Sequence, residues 1–265
     1  MRDGNVFWDK QALENANETA DILAAGDSWF WYPFPGGSLI TGIGALVAHK
    51  GHNILVEGSN GVEAYDLVKG KYKRQVNEML RLYGSGASAF LISAGGNDFA
   101  GFNDLRPLLR ADCSAATSAA ECFKPGAEEG TVEWLFQKVY ENYATLITRA
   151  LFVMPGHARI IVHTYAYSLP TGKGVNGGAG WIKPALDAAQ VPLPLQARCL
   201  VFLLDHFHSV LSRLVAGSAG RVELVDSRSA LSPADWANEL HPTPKGFRKV
   251  VEKHWAPVLH RLELA

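Results

Sequence analysis

The stretch "ADILAAGDSWFWYPFPGG" (residues 20–37) changes character halfway along. An apolar run, Ile22 to Ala25, ends at Gly26; Asp27 and Ser28 follow, and five aromatics then fall within six positions. A short continuous apolar run closed by glycine reads as a strand buried on both faces, as in a parallel sheet covered by helices. Four later segments repeat the pattern: "HNILVEG" (52–58), "ASAFLISAGG" (87–96), "ARIIVHTYAY" (158–167) and "RVELVDS" (221–227). Helical patterns lie between them: 38–51 stopping at Gly51, 72–84 stopping at Gly84, Val132 to about Phe152, 194–217, and a final one over 242–264 entered through prolines. Five strand–helix alternations predict an α/β fold, a five-stranded, mainly parallel sheet between two helical layers.

In such sheets ligands bind beyond the carboxyl ends of the strands. Asp27 and Ser28 follow the first strand, "EGSNGVEAYD" closes the second, "GGND" (95–98) closes the third, and the loop after the fifth leads to "DWANELHPTPKGF" with His241. Ser, Gly, Asn and His thus gather at one edge of the sheet. A serine hydroxyl becomes a nucleophile when a histidine takes its proton, and the oxyanion formed in acyl transfer needs fixed N–H donors. Ser28, His241, Gly61 and Asn97 can supply those parts. Taken singly, Ser28 also suits a helix N-cap and Asn97 a turn, but Pro33 and Pro35 separate Ser28 from the next long helix.

"GDSW" (26–29), "GSNG" (58–61), "GGND" (95–98) and "NELHPT" (238–243) occur in the order of the blocks of the SGNH hydrolases, the GDSL esterase/lipase family, which the chain resembles over nearly its whole length. The resemblance implies a flavodoxin-like three-layer α/β/α sandwich and hydrolysis of a carboxylic ester through an acyl-enzyme on Ser28. His241 would be the general base, and the oxyanion hole would be the Ser28 and Gly61 N–H groups with the Asn97 side chain; Gly58 is the alternative to Gly61. No metal or organic cofactor is implied. The sequence departs from the family pattern twice. Trp29 stands where Leu is usual, and Asn238 stands where the acidic partner of the histidine is expected, three residues before it. Three readings remain open there: Asp235 reaches back as a substitute, Asn238 or a backbone carbonyl orients a Ser28–His241 dyad, or turnover is impaired. Glu239 projects differently from Asn238.

The aromatics Trp29, Phe30, Trp31, Tyr32 and Phe34 combine two expectations. Large rings are usually core, yet some of this set must line the site, with Trp29 and Trp31 as candidates. Two segments without regular pattern, about 103–130 and 168–192, are expected to act as binding loops that set substrate choice, the second Gly-rich and carrying Trp181. The substrate is expected to be a small-molecule, lipid or acylated-sugar ester, with the rings favouring acyl or aryl esters.

Composition bounds the rest. The 265 residues are 48% hydrophobic and 19% charged with net charge −1, and no linker composition divides them, so one domain is expected. Near-neutral charge gives no case for nucleic acid or an anionic membrane, no run reaches ~18 consecutive apolar residues, and the first residues lack a signal-peptide core. That favours the cytoplasm unless a leader has been removed; oligomeric state is left open. Cys113 and Cys122 could close a short disulfide in an oxidising compartment, while Cys199 reads as a small core residue. On a helix His206 and His208 point ~200° apart and cannot chelate one ion. The chain lacks the G-x-S-x-G elbow of α/β-hydrolases and a phosphate-loop signature for a flavodoxin-like nucleotide or FMN binder. A non-catalytic binder of esters or glycans is the rival that Asn238 permits.

Overall fold

The computed structural model describes residues 1–32 and 37–265, so Pro33, Phe34 and Pro35 lie outside the described residues. Strands β1 (Arg2–Asp3), β2 (Val6–Phe7), β3 (Ile22–Gly26), β4 (Ile54–Gly58), β5 (Ala89–Ser93), β6 (Arg159–His163) and β7 (Val222–Val225) form one sheet in the order β1-β2-β4-β3-β5-β6-β7. The β1–β2 pair is antiparallel and every other pair is parallel. All five expected strands are present. The sheet is nevertheless seven-stranded, because residues 2–7 turn at Gly4 and add a hairpin beside β4. Two-residue strands are too short to leave a periodic signature.

The helix Leu39–Val47 packs against the C-terminal helices Pro244–Val250 and Ala256–Arg261 on one face. The helices Ala64–Val68, Lys73–Tyr83, Val132–Val153 and Leu193–Ala216 cover the other. Ile22, Leu23, Ala24 and Ala25 are fully buried between these layers, which explains their unbroken apolar run. The chain leaving β3 enters the first layer and the chain leaving β5 enters the second. A crevice therefore opens between the ends of β3 and β5, where the direction of winding reverses.

Helix termini follow local chemistry. Gly51 takes φ +78° and closes the helical segment that starts at Leu39. Thr243 caps Pro244–Val250 through its hydroxyl, which accepts from Gly246 N. Further on, Pro257 lacks an N–H, and the helix widens into a π turn over Val251–Trp255 just before it. The helix Leu193–Ala216 is, among the described residues, the one long and apolar enough to cross a membrane. Here it packs on β7 and on Val132–Val153, burying Leu200, Leu203, Leu204 and Phe207. Cys113, Cys122 and Cys199 are all free, buried thiols, and no bridge joins the first two.

Both segments read as patternless contain short elements. The first holds helix Phe102–Leu105 and turns at Arg106–Leu108 and Ala120–Cys122; the second holds helix Lys183–Ala188. Pieces of one turn or two fall below the length at which hydrophobic periodicity shows.

The strand ends converge tightly. A Cβ on Gly26 would lie 2.6 Å from the Ser93 carbonyl oxygen, and one on Gly58, at φ +127°, would run into the carbonyl of Gly26. Gly58→Ala is therefore expected to destabilise the protein by more than about 2 kcal/mol, from strained backbone plus separation of β3 from β4. Urea denaturation checks this; an unchanged midpoint would show that the strand ends have room to part.

Candidate active site

Asp27 follows β3 in extended conformation and caps a single helical turn, Ser28–Trp31, with its Oδ1 accepting from Trp29 N at 3.0 Å. This turn presents Ser28, 7% exposed, at the mouth of the crevice. Its Oγ lies 2.8 Å from Nε2 of His241. The ring's other nitrogen, Nδ1, is 3.0 Å from Oδ1 of Asn238. The same amide oxygen also accepts from Leu240 N at 3.0 Å and His241 N at 2.9 Å, while Asn238 Nδ2 donates to Tyr32 Oη at 3.2 Å. Two main-chain N–H groups facing that atom identify it as the oxygen, so Nδ1 carries the proton and Nε2 presents a lone pair to the serine. Burial pushes His241 down to about 4, so the ring is neutral at ordinary pH.

The sequence-derived candidates separate clearly. Asp235 does not reach His241: both its oxygens hold Lys249 Nζ, at 2.6 and 2.8 Å, and one accepts from Ser232. Gly58 is taken up by its register with Gly26, whereas Gly61, at φ +81°, lines a groove with Ser28, Asn97 and His241. Asn97 lines the same groove and donates one amide hydrogen to Val62 O at 2.9 Å.

The aromatic run divides. Trp31 lies in neither cavity beside Ser28; it packs on Trp8 with ring centres 4.9 Å apart, which corrects its reading as a substrate contact. Trp29 is 3% exposed, and its indole N–H donates to Leu240 O at 3.0 Å, tying the serine turn to the histidine loop. Its ring also forms part of the inner cavity wall. Trp181 stands edge-on to His241, centres 5.9 Å apart, in the outer groove. Tyr32, not singled out by motif, stacks on His241 at 3.8 Å with planes 12° apart.

Beneath the serine lies a buried chain that no spacing announced. Ser93 Oγ is 2.7 Å from Asp27 Oδ1 and 2.8 Å from His163 Nε2, and Tyr165 Oη donates to Asp27 Oδ2. His163 Nδ1 faces the Thr164 carbonyl at 2.8 Å and must carry a hydrogen. The single Ser93 proton can serve only one neighbour, so the chain is fully bonded only with one further proton, on Asp27 or on His163 Nε2. Burial pushes the Asp27 carboxyl up to about 6 and His163 down to about 4. Both shifts move that proton toward Asp27 and away from His163, which stays neutral; with a pKa of about 6 the carboxyl holds the proton below that pH and releases it toward neutrality.

Glu239, adjacent to Asn238, has a different task. Its carboxylate is 0% exposed and accepts from four main-chain N–H groups: Gly172 at 2.7 Å, Trp181 at 2.7 Å, Ile182 at 2.8 Å and Lys183 at 3.1 Å. A Cβ at Gly180 would run into its Oε2. The loop bearing Trp181 is thereby pinned to the segment bearing His241.

No family model matches the sequence, and no curated protein matches it. Solved structures do. A candidate GDSL-like lipase from Parabacteroides merdae superimposes with TM-score 0.53 and 15% identity over 93% of this chain and 98% of its own. A candidate SGNH hydrolase from Slackia heliotrinireducens gives 0.51 and 12% over 93% and 100%. The periplasmic domain of a lipopolysaccharide acetyltransferase from Salmonella ser. Paratyphi A gives 0.52 and 11% over 97% and 91%. The chain has the SGNH hydrolase fold.

Glu239→Gln places an amide NH₂ among hydrogen-bond donors. It is expected to lower stability by about 1.5–3 kcal/mol and to speed protease cleavage within residues 172–183. Urea denaturation and limited proteolysis measure the two; wild-type resistance of that loop would show that Glu239 does not hold it.

Proposed function

We propose that this chain is a serine hydrolase that cleaves carboxylic esters through an acyl-enzyme on Ser28. The observation that carries the reading is the 2.8 Å contact between Ser28 Oγ and His241 Nε2, on a ring whose Nδ1 already has its acceptor. Nε2 takes the hydroxyl proton as Oγ bonds to the ester carbonyl carbon. The carbonyl oxygen gains the electron pair and faces the Ser28 and Gly61 N–H groups and the Asn97 amide. The tetrahedral intermediate expels the alcohol, whose oxygen takes the proton from Nε2. Water then repeats the sequence against the acyl group, giving its proton to Nε2, and Ser28 leaves with that proton as the acid is released.

Asn238 supplies the geometric half of the usual acid's work. In serine proteases an Asp-to-Asn change costs ~10⁴ because it imposes the wrong tautomer. Here the amide oxygen faces the ring and holds the productive tautomer, with its nitrogen engaged by Tyr32. What is missing is charge to stabilise the imidazolium. The named neighbours support the reading at the level of chemistry, since lipases and an acetyltransferase all move acyl groups.

Three outcomes are expected with p-nitrophenyl acetate. Ser28→Ala lowers kcat by at least ~1,000-fold; a wild-type rate no greater than the variant's would favour the ester- or glycan-binding reading instead. Because burial depresses the His241 pKa, the base form exists above it, so kcat/KM rises as pH increases through about 4 and is flat toward neutrality. Asn238→Asp adds a carboxylate beside Nδ1 and is expected to shift that limb upward by at least ~1 pH unit and to raise kcat. A limb unmoved in the variant would mean that another group governs it.

A further inference from the structure

Two cavities of different character meet at Ser28, and the direction of proton transfer assigns them. His241 must deliver its proton to the leaving oxygen, so the alcohol half of an ester lies where His241 faces the cleft. His241 lines the outer groove and not the inner cavity. Ser28, Asn97, Ala100 and Leu240 line both, which places the scissile carbonyl at their junction.

The inner cavity then receives the acyl group. It is walled by Phe99, Ile182, Leu200, Leu204 and Trp236, and its one carboxyl, Asp27, is already bonded to Ser93 and Tyr165. Its volume is about 40 Å³, less than a tenth of that of the outer groove. Leu200 and Leu204 are buried on the helix Leu193–Ala216. The outer groove is far larger, about 560 Å³, and mixes the Trp181 and Tyr32 rings with Asn60, Asn176, Glu63 and Asp104. Among the described residues no Lys or Arg lines it. Burial and the charge of Asp104 both push the Glu63 carboxyl up, so the two already repel each other.

We propose that the substrate is an ester of a short acyl group, ~two to four carbons, with a bulky hydrophilic alcohol that carries no negative charge. This rests on Ser28 being the nucleophile, and it narrows the preference for acyl or aryl esters suggested by the aromatic run to short acyl groups. Most of those rings serve the core and the histidine, and the cavity beside the serine is short.

The test uses the full chain and two independent readouts. In a p-nitrophenyl ester series, kcat/KM is expected to peak between acetyl and butyryl and to fall at least ~10-fold by octanoyl. Leu204→Ala deepens the cavity and moves the maximum to longer chains; Ile182→Ala does so from another wall should the first variant not fold. On the alcohol side, an O-acetylated methyl glucoside is cleaved at least ~10-fold better than an O-acetylated sugar phosphate, and Asp104→Asn narrows the gap. Binding is read without chemistry in Ser28→Ala, where butyrate raises the Tm and decanoate does not. A maximum at octanoyl or beyond, or decanoate stabilising as well as butyrate, overturns the proposal. Loss of all turnover with butyrate stabilisation intact would sink the hydrolase reading and leave the short pocket standing.

Discussion

Three N–H groups converge on the amide oxygen of Asn238, and the geometry of the cleft hangs on that convergence. Two come from the backbone of Leu240 and His241 and shape the loop; the third is His241 Nδ1 and fixes the ring. An aspartate at this position could accept the same three bonds, so the replacement preserves architecture while removing charge. The nitrogen of the amide adds something an aspartate cannot. It donates to Tyr32, whose ring covers one face of the imidazole. Burial under that ring is part of why the histidine loses basicity, so orientation and proton affinity are set by the same contacts.

The sheet supplies the second constraint. Glycines at 26 and 58 let β3, β4 and β5 close to distances no side chain would tolerate. The loops that follow therefore share one crevice, and residues from four distant blocks meet there. The same compression buries Asp27, Ser93 and His163 beneath the serine. Unpaired polar groups at that depth would cost ~1–3 kcal/mol each. The hydrogen-bonded chain through Asp27, Ser93, His163 and Tyr165 avoids that loss. Trp29 then links floor to wall through its bond to the Leu240 carbonyl.

How much of this was legible in the sequence follows from what periodicity and spacing encode. Five buried strands announce themselves as apolar runs, and the blocks at their ends follow from the rule that ligands gather at the carboxyl edge. The β1–β2 hairpin and the short helices in the long loops are too brief for any period. Asp235 sits at a plausible spacing from His241, but its turn aims it at Lys249, a contact that depends on where the last helix starts. Trp31 lies three residues beyond the serine, yet one helical turn swings it onto Trp8. Asp27, Ser93 and His163 belong to three strands or their ends, and no local pattern links them. Tyr32 and Glu239 had only proximity to the motifs as a signal, and proximity does not say what a side chain will touch.

The carboxylate of Glu239 has a consequence for variation. All four of its partners are peptide N–H groups, which every residue but proline possesses. The anchor reads main chain and ignores side-chain identity, apart from the glycine at 180, whose bareness lets it approach, and the glycine at 172, a partner held at φ +76°. Residues 173, 175 and 179 can therefore diverge in sequence while the loop keeps its attachment to the histidine segment, whereas Gly174, where a Cβ would run into the Ala179 carbonyl, and Gly177, at φ +78°, are held to glycine by the backbone. A site built this way separates inheritance of position from inheritance of preference: the fastening stays constant while the surface it presents is free to drift.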